Sequence, residues 1–411
     1  MSSRPTNRSS ASSAGPASTT PGELSLTLSA NAAPGRGGQG LNLLHWLHAL
    51  GPHFRLGLFA RQGCEGFPAT VATESGIGRL LPKIPWVRRF RGLQVAIEER
   101  HFDRFVAAHL ERCDVFQGAT GQCLQSLRRA RQLGARTALD VVTLHADLFS
   151  GELEQECREF GIDSPISGGS RRRMVAEYAE ADVIRVMSHV ARRTFLDRGV
   201  ASDKVVVATP PIDVPPEPLA HFREPVFRIC FVAGIEPWKG FHHLIQAFEK
   251  LNLADSELEM WGWPGTGKVR QFIEAAQRRN PRIRLRKEIV RSAGFAEVYG
   301  RASVFVLPSL ADGFGYVVAE AMASGLPVIV STRTGAADLI TEGVNGFVVN
   351  PRDVDALAER LQFLARHPER LSQLGLAARE TISHLSLDTF SRDWIPALRG
   401  GQPTQPPATQ P

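Results

Sequence analysis

Apolar runs of four to six residues, separated by segments with helical spacing, recur through most of this 411-residue chain. Runs of that length are too short for buried helices and too continuously apolar for strands with one wet face. They predict parallel strands covered by helices on both sides. In the first half the strand candidates are Leu24–Ser29, Phe54–Phe59, Asp114–Gln117, Thr137–Val142, Val183–Met187 and Lys204–Ala208. The pattern breaks once, at Pro210 and Pro211 with Pro215, Pro216 and Pro218 close behind, which reads as a linker. It restarts with Phe227–Val232, Leu258–Trp261, Ile283–Arg286, Val304–Leu307, Pro327–Val330 and Gly346–Val349. Helical spacing lies between them over Phe241–Leu251, Val269–Arg279, Gly294–Gly300, Tyr316–Ser324 and Val354–Arg366. The expected architecture is α/β: two facing, doubly wound, Rossmann-like parallel sheets, whose ligands bind beyond the carboxyl ends of the strands. The expected division is a disordered tail over 1–22, a first domain over 23–212, a linker over 213–225, a second domain over 226–380, a last helical segment over 381–398 and a second disordered tail over 399–411.

With 43% apolar and 22% charged residues, the chain cannot be mostly disordered or a coiled coil, and no apolar run is long enough to span a membrane. The first residues are Ser, Thr, Ala and Pro without an apolar centre, unlike a secretory signal. Five cysteines, without CxxC spacing or a histidine at ligand spacing, argue against disulfides and structural zinc and fit a reducing cytoplasm. The net charge of +6 is not spread as nucleic-acid binding would require. It concentrates in residues 79–93, where Arg79, Lys83, Arg88, Arg89 and Arg91 alternate with Leu80, Ile84, Trp86, Phe90 and Leu93 and no acid intervenes. Two readings stand for this stretch: a helix with one solvated face, or a peripheral contact with an anionic membrane surface.

The segment from Val304 to Ser331 carries the chemistry. A strand ends at Pro308 and Ser309, a loop holds Asp312, Gly313, Phe314 and Gly315, and a short helix places Glu320 among Val317, Val318, Ala319, Ala321 and Met322. A carboxylate in such a helix costs several kcal/mol unless it is paired or hydrogen-bonded, and a pair of ribose hydroxyls would satisfy it. The alternative is that Asp312 caps the helix and Glu320 meets an arginine.

This segment resembles the E-x7-E region of glycosyltransferase family 4, the retaining nucleotide-sugar enzymes of GT-B fold, with Asp312 in place of the first glutamate. Phe231 to Phe248, with Lys239 and Gly240, is similar to that family's phosphate-binding loop and following helix. Glu177 to Ser188 and Gly335 to Val349 resemble its helix-to-strand passage and its final strand. The resemblance implies that Glu320 holds the donor ribose, that Asp312 lies beside the donor sugar near its anomeric carbon, and that Lys239 neutralises the diphosphate, with Gly313, Phe314 and Gly315 lining the donor. It implies a glycine turn facing the donor at Gly38, within Pro34–Gly40, and a histidine over the donor sugar at His145. It also implies that the last helix packs back on the first domain, and that no bound metal or cofactor is needed. The family has an arginine where this chain has Ile235, so Arg291 or Arg333 would have to replace it. The expected partners are a nucleotide sugar and a glycan or lipid-linked acceptor in envelope or extracellular polysaccharide or glycolipid synthesis.

Three further motifs compete with this reading. Gly262 to Lys268 follows the Walker A pattern but has Val269 where magnesium needs a hydroxyl, leaving a P-loop-type nucleotide-binding protein as an alternative. A GT-B nucleotide-sugar epimerase is another. Asp353 and Asp355 match a D-x-D motif but stand at a helix start, where capping explains them, and Arg171 to Arg173 reads as a solvated run that could meet an anionic acceptor.

Overall fold

The computed structural model describes residues 24–71, 91–219, 226–287 and 294–401. The first domain runs β1 (Ser25–Ser29), α1 (Gly37–Leu50), β2 (Arg55–Ala60), β3 (Thr70–Val71), α2 (Arg91–His109), β4 (Val115–Ala119), α3 (Leu124–Gln132), β5 (Arg136–Val141), α4 (Ala146–Glu159), α5 (Gly168–Glu180), β6 (Val183–Val186), α6 (His189–Leu196) and β7 (Val205–Val207). Its seven strands lie in the order β3-β2-β1-β4-β5-β6-β7 and every pairing is parallel. The second domain runs β8 (Phe227–Val232), a 3-10 turn at Pro237–Lys239, α7 (Phe241–Leu251), β9 (Ser256–Trp261), α8 (Gly267–Arg279), β10 (Ile283–Arg286), α9 (Phe295–Tyr299), β11 (Val304–Leu307), α10 (Tyr316–Ala323), β12 (Val328–Ser331), β13 (Gly346–Val349), α11 (Val354–Arg366) and α12 (Pro368–Ile382). Its sheet is β10-β9-β8-β11-β12-β13, also parallel throughout. Strands such as β8, β11 and β12 are buried along their whole length, which is why they read as predominantly apolar runs rather than as alternations.

The final helix, α13 (Leu387–Leu398), returns to the first domain. Phe390, Trp394 and Leu398 join the core beneath β1 and α1, Trp394 Nε1 donates to Gln117 Oε1 at 2.9 Å, and Ser391 Oγ donates to the carbonyl of Ala49. The proline segment is tied to the second domain: Ile212 N donates to the Leu385 carbonyl, and Arg379 donates to the carbonyls of Pro215 and Pro216.

Several expectations need revision. Order continues past 398, with Arg399 over the Phe54 ring at 5.3 Å. The glycine turn is shorter than the expected Pro34–Gly40 because α1 begins at Gly37, and Gly38 sits in its first turn. The chain doubles back there so tightly that a Cβ on Gly40 would lie 2.1 Å from the Ala33 carbonyl oxygen. Arg173 is not solvated: its side chain is 10% exposed and pairs with Asp103 and Glu177. Residues 1–22 and 402–411 lie outside the described residues, as do residues 79–90 of the cationic stretch and Arg291.

Candidate active site

Beyond β8 the chain enters the Pro237–Lys239 turn and reverses at Gly240, whose φ of 72° is the left-handed conformation that favours glycine. A Cβ there would lie 2.1 Å from the Pro308 carbonyl oxygen, so only glycine lets this turn press against the loop after β11. The result is an ion pair, Lys239 Nζ to Asp312 Oδ2 at 2.5 Å, with the two side chains 24% and 13% exposed. Asp312 is held on both sides of its main chain: its N–H donates to Arg333 O at 3.0 Å and its carbonyl accepts from Gly335 N at 2.9 Å. The loops after β11 and β12 are thus laced together, and the Ser331 hydroxyl donates to the Ser309 carbonyl.

Gly315, with φ 88°, stands at the start of α10, which carries Glu320 one and a half turns later. Glu320 is half-buried and its Oε2 accepts a hydrogen bond from the Tyr299 hydroxyl at 3.1 Å. That hydroxyl belongs to a fully buried ring on α9 and was not evident from the sequence, since nothing in the spacing links 299 to 320. Phe314 is buried, edge-on to Tyr316.

The first domain meets this loop directly. A Cβ on Gly313 would come within 2.3 Å of the Val142 carbonyl oxygen, so the close approach at this glycine is to the main chain just after β5. Ser188 caps α6 through Ala191 N and donates its hydroxyl to the Gly313 carbonyl at 2.8 Å. The Tyr316 hydroxyl lies 3.3 Å from Asn42 Oδ1 and 3.5 Å from His45 Nδ1, both on α1. Gly38 faces open space, with nothing within 4 Å of a Cβ built on it.

His145 lies three residues beyond Val142, at the N-cap of α4. Its Nδ1 accepts from Asp147 N at 3.2 Å, so the neutral ring carries its proton on Nε2. Packed against Tyr178 and Phe195 and largely cut off from water, its pKa is pushed from 6.5 down to about 4.

Ile235, in the position of the missing arginine, is fully buried. Arg333 shares the Asp312 loop through its backbone, while its guanidinium lies 3.7 Å from Glu152 on α4. Glu152 and the buried Glu156 also pair with Arg352, each across the domain boundary. The Walker-like loop serves other ends: Thr266 caps α8, and Lys268 Nζ donates to the Gly161 carbonyl of the first domain. Asp353 caps α11 through Ala356 N at 2.9 Å. Among the described residues one group, Glu156, His242 and His243, brings three metal-type ligand atoms within 4.8 Å of one another.

Residues 226–367 match the family model described as Glycosyl transferases group 1. The capsular polysaccharide biosynthesis glycosyltransferase CapM of Staphylococcus aureus is 32% identical over 162 residues, 38% of this chain and 40% of that protein. The D-inositol 3-phosphate glycosyltransferase of Kribbella flavida is 29% identical over 188 residues, 43% and 44% of the two chains. The chain thus aligns with less than half the length of these curated relatives. Among solved structures, Anabaena HepE in complex with UDP-glucose superposes with a TM-score of 0.68 at 17% identity, covering 92% of this chain and 100% of that one. Sucrose-phosphate synthase from Thermosynechococcus elongatus gives 0.66 at 18%, covering 92% and 99%. Two parallel sheets joined in this way are the GT-B fold, and the second domain is the part of the chain that matches the group 1 glycosyl transferase model.

Proposed function

We propose that this protein is a retaining glycosyltransferase that moves a hexose from a nucleotide diphosphate sugar to an acceptor hydroxyl. The observation that carries the reading is the Lys239–Asp312 pair at the carboxyl ends of β8 and β11, one short helix before Glu320 and against the first-domain loop that leads to His145. In a parallel sheet this is where ligands sit. Lys239 exchanges the carboxylate of Asp312 for the donor diphosphate and takes up the charge that develops as the nucleotide departs, so this step draws on the chain's own cation. Released from the lysine, Asp312 lies beside the sugar, and Glu320 accepts from the ribose hydroxyls alongside the Tyr299 hydroxyl. Neutral His145 lies over the sugar in this reading and offers a hydroxyl its Nε2–H. The first domain closes over this face and keeps water from the departing sugar.

The acceptor in this reading is a glycan or lipid-linked saccharide of an envelope polysaccharide or glycolipid. The cationic, aromatic stretch 79–93 is its contact with an anionic bilayer, measurable by co-sedimentation with vesicles containing phosphatidylglycerol. No helix among the described residues is long and apolar enough to cross a membrane.

Thermal shift against UDP-, GDP- and ADP-sugars tests the donor assignment. A donor at a hundredfold excess over its Kd stabilises the fold by about 2.7 kcal/mol. Glu320→Gln keeps an acceptor for Tyr299 but weakens hydrogen bonds to the ribose, and is expected to weaken donor binding by about 10- to 100-fold. No shift with any nucleotide sugar, or an undiminished shift in the variant, overturns the assignment. The anomeric configuration of the product, read by NMR, decides retention, and turnover only with acceptor present separates transfer from epimerisation.

A further inference from the structure

Behind the Lys239 turn, α4 of the first domain lies against the first turn of α7. Glu156 is fully buried there, His242 is 5% exposed and the His243 side chain 12%. Glu156 Oε2 lies 2.9 Å from His242 Nε2 and 3.9 Å from His243 Nε2. None of these three atoms has a hydrogen-bond partner, and Glu156 meets His242 at ion-pair distance. Three buried polar atoms that lack hydrogen-bond partners converge there, and each such atom is costly to leave unsatisfied. An ion pair of Glu156 with His242 accounts for two of them and leaves His243 Nε2 without a hydrogen-bond partner.

We propose that Glu156, His242 and His243 form a divalent transition-metal site, of zinc type, that joins the two domains behind the sugar-transfer site. A tetrahedral zinc with Zn–N and Zn–O bonds of about 2.0–2.2 Å holds its ligand atoms roughly 3.3–3.5 Å apart, and the observed separations fall on either side of that spacing. Two imidazoles and one carboxylate suit zinc rather than magnesium or calcium, and leave one coordination position for water. Arg352 occupies the other carboxylate oxygen, Oε1, at 2.7 Å and so orients Oε2 towards the histidines. Glu152 pairs with Arg352 at 2.8 Å and stands 3.7 Å from Arg333, so two carboxylates offset the two guanidinia around the site.

The ion would have a structural task. His242 follows Lys239 by three positions, with Gly240 and Phe241 between, so a metal bridging α4 to α7 fixes the phosphate-side turn against the first domain. It takes no part in bond making, and the site does not depend on the nature of the donor.

The test uses full-length, tag-free protein stripped with a chelator, titrated with zinc against a chromophoric indicator and, separately, with cobalt(II). Wild type is expected to bind one equivalent of zinc, to gain thermal stability with it, and to give a cobalt spectrum of four-coordinate intensity. His243→Ala and the milder Glu156→Gln, which keeps the side-chain shape facing Arg352, are each expected to weaken binding by about 10- to 100-fold, while replacing the exposed His53 changes nothing. Circular dichroism establishes that each variant is folded. Less than a stoichiometric equivalent in wild type, a six-coordinate cobalt spectrum, or equal affinity in wild type and the folded variants overturns the proposal. The wild-type measurements alone decide it should both variants fail to fold.

Discussion

His145 shows how one side chain couples fold to pH. Its folded-state pKa of about 4 lies below the ordinary 6.5, so the folded protein resists a proton that the unfolded chain accepts. The stability it contributes is therefore complete above pH 6.5 and is lost as the pH falls towards 4. His145→Asn keeps an N-cap acceptor for Asp147 N and removes the titration. The variant's Tm is expected to fall less steeply between pH 6.5 and 4 than that of wild type, and parallel curves would contradict this. At the same scale, Glu320 was legible in the sequence because a carboxylate amid small apolar residues must be explained by a partner, while Lys239 and Asp312 were legible through their resemblance to the motifs of glycosyltransferase family 4. Their partners were not. The Tyr299 hydroxyl on Glu320 and the Ser188 hydroxyl on Gly313 join residues whose positions in sequence carry no sign of contact.

Among the elements, strands buried on both faces announced themselves, and β8, β11 and β13 have the boundaries expected of them, as does the half-exposed edge strand β10. The two-residue strand β3 gave no such signal, because both residues are exposed and two residues carry no period. The start of α1 gave no such signal for a related reason: Gly37, Gly38 and Gly40 argue for a turn locally, and of the three only Gly40 packs against Ala33. Helix α13 depends most on distant partners. Trp394 is fully buried in the first-domain core although it follows the second domain in sequence. Trp394→Ala is expected to cost about 3–5 kcal/mol, read as a lower urea midpoint with the folded protein still able to bind nucleotide sugar. A loss below about 1 kcal/mol would mean that α13 is not part of the first-domain core.

For the whole molecule, the decisive contact is between loops of different domains. Gly313→Ala would put a methyl group 2.3 Å from the Val142 carbonyl oxygen, where both partners are main chain and neither can rotate away. It is expected to destabilise the protein by about 1–3 kcal/mol and to reduce transfer by opening the domain contact, measured by denaturation and by small-angle scattering. A variant as stable and as compact as wild type would show that the loops do not meet in solution. The sequence by itself determined the two parallel sheets, the order of their strands along the chain and the need of Glu320 for a partner. These follow from local periodicity and from the cost of burying charge, both of which act over a few residues. Only the tertiary structure decided how the domains meet: Gly313 on Val142, Lys268 on the Gly161 carbonyl, Glu156 against His242. Such contacts depend on where two separately folded surfaces come to rest, and no pattern within either segment records the shape of the other.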